Sequence, residues 1–235
     1  MLNAAWPLAV AVLTSTCVSS EAAPLSFREF ERLARECAPR VDPSTLASIA
    51  KVESGFDPLA AHDNTTGESL HWNDQTQAHQ SVKARLEAQH SIDVGLMQIN
   101  SKNFSFLNLT IEKAFQPCMS LVAAAHLLES RYAGGDTTAA KQLALRQAIS
   151  AYNTGDLTRG FANGYVQKVE SAAREIVPPL VEQPEGPDEK PISEETWDVW
   201  GSYERDRSAG DFISLPALQR SGDREPSKKK PFVFD

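Results

Sequence analysis

Asp42-Pro43-Ser44-Thr45-Leu46-Ala47-Ser48-Ile49-Ala50-Lys51-Val52-Glu53-Ser54-Gly55 reads as one helix with both ends written into it. Asp42 is an N-cap residue, and Pro43 occupies the first helical position, where its missing N–H costs nothing. Gly55 marks the stop. Leu46, Ile49 and Ala50 share a face, and Glu53, four residues after Ile49 and seven after Leu46, continues that apolar stripe. A carboxylate there loses part of its hydration. It also stands in the last helical turn, against the negative end of the helix dipole, so both effects raise its pKa. Such a Glu keeps a proton near neutral pH and can donate it. Spacing alone is equally compatible with a structural Glu paired to an Arg or capping a loop.

Outward from this helix the signals are again helical. Ser26 with Glu29 forms a capping box ahead of Phe27, Phe30, Leu33, Ala34 and Cys37, predicting a helix over 26–37. Further helices are predicted over about 120–132, ending at Gly134-Gly135, over about 137–152, ending near Gly155, and over about 165–176, ending before Pro178-Pro179. Residues 62–92 are polar, rich in His, Gln, Asn and Asp. They read as an extended surface loop of the kind that shapes binding sites, with a charged helix near 78–89. Strand signals are scarce, so the fold class is mainly α.

At the N-terminus, Leu8-Ala9-Val10-Ala11-Val12-Leu13 is an apolar run followed by small polar residues and by Ser20-Glu21-Ala22-Ala23, with small residues suited to cleavage. Residues 1–22 are read as a secretory signal peptide, although no Lys or Arg precedes the apolar core. An uncleaved anchor is the alternative, and the run is well short of the roughly 20 residues a spanning helix needs. Cleavage removes Cys17 and leaves Cys37 and Cys118, either a disulfide suited to an oxidising compartment or two separate buried thiols.

After Pro178 the composition turns to Pro, acidic residues and isolated aromatics without sustained period, so 178–235 reads as a Pro-rich, disordered tail behind a domain spanning 24–177. Two short apolar islands within it, residues 196–200 and 212–215, are candidates for docking on a partner. With 23 Lys and Arg against 31 Asp and Glu, the net charge of −8 argues against general affinity for nucleic acid or anionic membranes. His62, His71, His79 and His90 lie nine, eight and eleven residues apart, which sets no two of them one helical turn apart, and no Cys joins them, so no metal is expected. No cofactor is expected either.

Four strings occur in order: Val52-Glu53-Ser54-Gly55-Phe56-Asp57-Pro58, Gly95-Leu96-Met97-Gln98-Ile99-Asn100, Ala151-Tyr152-Asn153-Thr154-Gly155 and Gly164-Tyr165-Val166-Gln167-Lys168-Val169. Together they resemble the lytic transglycosylases with a goose-type lysozyme-like domain, over about residues 26–177. The resemblance implies a helical lysozyme-like fold whose cleft binds the peptidoglycan glycan strand. It implies Glu53 as the catalytic acid/base and Ser54 as the polar residue that follows it. It further implies Gly95, Met97 and Gln98 lining the cleft, Tyr152 and Asn153 positioning substrate, and Tyr165 near the carboxylate. With no second carboxylate as nucleophile, the substrate's N-acetyl group stabilises the oxocarbenium-like centre, and Glu53 then deprotonates the C6 hydroxyl to give a 1,6-anhydro sugar.

Asp57, Asp63, Glu68, Asp74 and Asp93 lie in or beside the polar region, so a lysozyme-like hydrolase is the alternative mechanism, and a non-catalytic glycan-binding scaffold the alternative class. The Ala61-His62-Asp63-Asn64 string, the form of the second motif and the Pro-rich tail are most similar to the transglycosylases of type IV secretion systems. That implies a periplasmic enzyme, not integral to the membrane once its signal is cleaved, whose tail recruits other secretion components.

Overall fold

The computed structural model describes residues 23–176. The signal-peptide reading, Cys17 and the tail with its apolar islands lie outside these residues.

Helix α1, Phe27–Cys37, starts at the capping box formed by Ser26 and Glu29, and it buries Phe30 and Ala34. Helix α2, Pro43–Glu53, starts where the Asp42 carboxylate accepts the Ser44 N–H. Its residues 45–50 are all buried, so through its middle α2 is covered on every side rather than along one stripe. That makes α2 the axis of the domain: α1 and α6 (Pro117–Arg131) flank it, and α9 (Tyr165–Ile176) packs along it as the most extensive helix pair. Helix α7, Thr138–Thr154, lies against α6 and α9, capped at its start by Thr137 and stopped by Gly155 in the left-handed conformation. Leu46, Ile49, Leu96, Met97, Leu121, Leu128, Leu145 and Ile149 form the fully buried centre of the core.

Residues 62–92 differ from the expected loop. They carry most of a small antiparallel sheet of strands β1 (Ala60–Asp63), β2 (Glu68–His71), β3 (Ile92–Val94) and β4 (Ile99–Asn100), in the order β2-β1-β3-β4. Helix α3, Gln75–Glu87, begins at the Asp74 cap, three residues earlier than expected, and packs on β3 and on the one-turn helix α5, Ile111–Ala114. The polar composition goes into ties within the segment. Buried Asp63 accepts the backbone N–H groups of Thr65 and Thr66, faces His90 at 2.7 Å and pairs with Arg85 at 3.3 Å, which pins the hairpin turn to the end of α3. Burial acts to raise the Asp63 carboxyl, but the His90 and backbone N–H contacts outweigh it and hold the group below its usual range. His71 meets Asp57 at 2.9 Å and His79 meets Glu112 at 2.8 Å.

Two further single turns, α4 (Phe104–Leu107) and α8 (Arg159–Ala162), lie among the described residues. Cys37 and Cys118 form a disulfide, with Cα atoms 5.5 Å apart across 81 residues of sequence, tying the end of α1 to the start of α6. Among the described residues no helix is long and apolar enough to cross a membrane.

Candidate active site

The C-terminal end of α2 delivers Glu53 to the point where the helical body meets the sheet. The chain leaves the helix through two consecutive left-handed residues, Gly55 at φ +62° and Phe56 at φ +69°. The second conformation is unfavourable for a side chain bearing a Cβ. It is held by packing of the Phe56 ring edge-on against Phe30, with centroids 5.2 Å apart. The Ser54 hydroxyl donates to the Leu96 carbonyl at 2.7 Å, so it ties the helix end to the second motif. Its hydroxyl hydrogen is spent on backbone rather than turned to a ligand.

The second motif is a turn built from backbone constraints. Gly95 sits at φ +81°, and a Cβ there would lie 2.1 Å from the Ala114 carbonyl oxygen, so only glycine fits against α5. Gln98 occupies φ +46°, and its side-chain amide donates to the carbonyls of Gly95 at 2.8 Å and Ala60 at 3.2 Å, closing the turn and fastening it to β1. Met97 contradicts the expectation of a cleft-lining side chain. Its side chain is fully buried in the core, because the turn that points Gln98 at the cavity points Met97 inward. What Met97 contributes is backbone: its N–H donates to the Ser120 hydroxyl and its carbonyl accepts the Tyr152 hydroxyl at 2.6 Å.

From the other side, α7 supplies Tyr152 and Asn153, and α9 supplies Tyr165 at its first position. Asn163 joins these two helices, its amide donating to the Asn153 side chain at 3.2 Å while its oxygen accepts the Tyr165 N–H at 3.0 Å. The Tyr165 hydroxyl donates to Glu53 Oε1 across 112 residues of sequence.

A cavity of about 100 Å³ opens among these elements, lined by Glu53, Asn64, Asp93, Gln98, Ile99, Asn100, Asn103, Leu127, Tyr152 and Asn153. Its wall is rich in amides and carboxylates, suited to the hydroxyl and amide groups of a sugar chain. Burial pushes the Glu53 carboxyl up to about 7; the Tyr165 hydroxyl opposes this by donating to the carboxylate, and the negative charge of Asp93 reinforces it. Desolvation is thus the main cause, where the sequence had offered desolvation and the helix dipole equally. Burial, followed by the nearby charge of Glu53, keeps the Tyr152 and Tyr165 hydroxyls well above their ordinary range, so both remain protonated donors.

Of the residues singled out from sequence, Glu53, Gln98, Tyr152 and Asn153 line the cavity, and Tyr165 reaches it through Glu53. Ser54, Gly95 and Met97 stand behind it and shape its wall. Asn64, Asn100, Asn103 and Leu127 were not singled out as site residues. Asn64 and Asn100 belong to strings quoted above and could have been marked by their place in them, whereas Asn103 and Leu127 carry no comparable signal.

The transglycosylase SLT domain family model matches residues 32–174. Protein virB1 of Agrobacterium fabrum is 68% identical over 205 residues, covering 87% of this chain and 84% of its own length. Protein virB1 of Rhizobium radiobacter is 58% identical over 228 residues, covering 97% and 95%. The type IV secretion system protein virB1 of Brucella abortus is 33% identical over 162 residues, covering 65% and 67%. No solved structure matches the chain. A buried, proton-holding glutamate in a polar cavity and a family match that spans all four motifs lead to one assignment: the chain belongs to the transglycosylase SLT domain family and is a peptidoglycan lytic transglycosylase.

Proposed function

We propose that Glu53 is the acid/base of this enzyme, a reading carried by one observation: a glutamate raised to about 7 by burial, held by a tyrosine hydroxyl at the wall of a polar cavity. Protonated Glu53 donates to the glycosidic oxygen between N-acetylmuramic acid and N-acetylglucosamine, and the bond to the muramic anomeric carbon breaks. Glu53, now a carboxylate, takes the proton of the C6 hydroxyl, whose oxygen closes on the anomeric carbon. The proton balance returns to its start and no water is consumed. Asn153, Tyr152 and Gln98 position the strand, and the catalytic domain spans 24–177.

The chain acts in the periplasm after removal of residues 1–22, where it opens the wall locally for a type IV secretion apparatus. The similarity to a protein named as a type IV secretion system protein supports the secretion context. The tail, 178–235, recruits other components of the apparatus. Deleting residues 180–235 is expected to leave glycan cleavage intact and to reduce assembly and partner co-purification; unchanged assembly would remove the tail from the picture.

The enzymology is tested by mass spectrometry of muropeptides released from purified peptidoglycan by wild type and Glu53→Gln. Products lighter by one water than hydrolytic products, absent with the variant, are expected. Reducing-end products would instead mean hydrolysis, and equal release by the variant would remove Glu53 from the chemistry.

A further inference from the structure

We propose that the Cys37–Cys118 disulfide gates catalysis, with Ser120 as the positioning residue that carries its constraint from α6 to the active-site turn. The inference rests on the glycan-cleaving reading above and adds a redox condition to it.

The turn from Gly95 to Gln98 is anchored from three directions. The Ser54 hydroxyl, next to Glu53, donates to the Leu96 carbonyl, and the Tyr152 hydroxyl on α7 donates to the Met97 carbonyl. The third anchor is Ser120 on α6, wholly buried, whose hydroxyl oxygen accepts the Met97 N–H at 3.0 Å. Met97 is therefore held at its N–H by Ser120 and at its carbonyl by a tyrosine of the cavity wall. Leu127, seven residues after Ser120 and so on the same face of α6, lines the cavity itself. A shift of α6 thus moves both the support of the turn and a piece of the wall.

The first turn of α6 has no side-chain cap from Gln116, unlike the starts of α1, α2, α3 and α7. The cross-link at Cys118, two residues before Ser120, supplies a constraint there instead, tying this turn to Cys37 at the end of α1. Helix α1 is itself braced against the exit of α2. Its Phe30 meets Phe56 edge-on, and the Leu25 N–H just before it donates to the Phe56 carbonyl at 2.9 Å. The covalent bond therefore links the residues just after Glu53 to the helix under the turn. Cys37 and Cys118 are both half-buried rather than sealed in the core, so thiol–disulfide exchange can reach the bond. A disulfide of the compartment, either an oxidised thiol oxidoreductase or glutathione disulfide, takes two electrons and two protons from the Cys37 and Cys118 thiols. It leaves as two thiols, and one S–S bond is made for the one broken. The reduced chain retains Glu53, Tyr165 and the cavity residues but loses the fixed placement of the turn, so it binds glycan and cleaves it poorly. A misplacement of about 1 Å at such a site costs on the order of 100-fold in rate.

The test measures kcat and KM on a defined glycan oligomer for the full chain, oxidised and after dithiothreitol, and for Cys37→Ser with Cys118→Ser, Ser120→Ala and Glu53→Gln. Assays run well below the melting temperature of each form, with folding checked by circular dichroism. Reduction is expected to lower kcat roughly 10- to 100-fold with KM within a few-fold, and glutathione disulfide should restore it. The double serine variant should match the reduced chain and ignore dithiothreitol, which excludes an effect through Cys17. Ser120→Ala should also lose kcat, and reduction should cost it little more, because the path is already cut. Hydrogen exchange at the Met97 amide should be faster in the reduced, folded chain. A reduced chain that is folded and within twofold of the oxidised kcat would overturn the proposal. An equal loss on reduction in wild type and Ser120→Ala would do the same, as would unchanged Met97 exchange. A reduced chain that folds at no temperature also overturns it, since the bond is then a staple of the whole fold. If Ser120→Ala does not fold, the Met97 exchange decides. Anhydro products from the oxidised chain, absent with Glu53→Gln, test the underlying reading separately; without them both readings fall, and with them the reductant alone decides this one.

Discussion

Glu53 carries a cost that its chemistry explains. In an unfolded chain its carboxyl titrates near the ordinary glutamate value, whereas in the folded enzyme it holds its proton up to about 7. Between those values the folded state binds the extra proton, so stability falls as pH rises through this window, and above it the full penalty is present. Glu53→Gln removes that penalty. It should stabilise the protein by about 1–3 kcal/mol at pH 8, and the advantage should vanish near pH 4, as followed by thermal melts at both pH values. Tyr165 acts in the opposite sense to Asp93. Its hydroxyl donates to the carboxylate and lowers the proton affinity of Glu53. Tyr165→Phe should therefore carry the basic limb of the pH–rate profile above 7, and a limb that stays put would show that the hydroxyl does not tune the acid. Glu53 was legible in the sequence because its place on an apolar helical stripe is itself the source of its desolvation. Met97 was misplaced because a turn of backbone, invisible in residue spacing, decides which of two adjacent side chains faces the cavity.

The elements differ in how plainly the sequence announces them. Helices α1, α2, α7 and α9 are bracketed by their own punctuation, the Ser26–Glu29 box, Asp42-Pro43, Thr137 and Gly155, and Asn163 ahead of Tyr165. Strands of two to four residues are too short to show alternation, and β2 is mostly exposed, so it lacks an apolar face to reveal it. The single turns α4, α5 and α8 span four residues each, about one helical period, and periodicity cannot be read from one period. The turn from Gly95 to Gln98 is where an element and the site coincide. Gly95→Ala would place a methyl against the Ala114 carbonyl and force a left-handed alanine. We expect a loss of about 3 kcal/mol or more, combining overpacking with backbone strain, and a melting temperature lower by roughly 10 °C. Melting within 2 °C of wild type would mean that α5 yields easily.

For the molecule as a whole, the disulfide between Cys37 and Cys118 closes a loop of 81 residues of sequence separation that holds α2, the whole sheet and the helices between. Restricting so long a loop in the unfolded chain is worth about 4 kcal/mol in the chain-entropy account. Reduction, or the double substitution Cys37→Ser and Cys118→Ser, should then lower the melting temperature by roughly 10 °C, and identical melts with and without reductant would remove the cross-link from the stability of the fold. Cysteine counting left this pairing open against two buried thiols, since only the meeting of α1 with α6 brings the two side chains together. The bond between Tyr165 and Glu53 spans a still greater distance along the chain, 112 residues. During synthesis from the N-terminus the acid is laid down early and its tyrosine partner 112 residues later. The reactive carboxylate is completed only when α9 seats along α2, so a chain cut short before that helix possesses the glutamate but not the finished site, and cleavage waits on the last of the described helices to arrive.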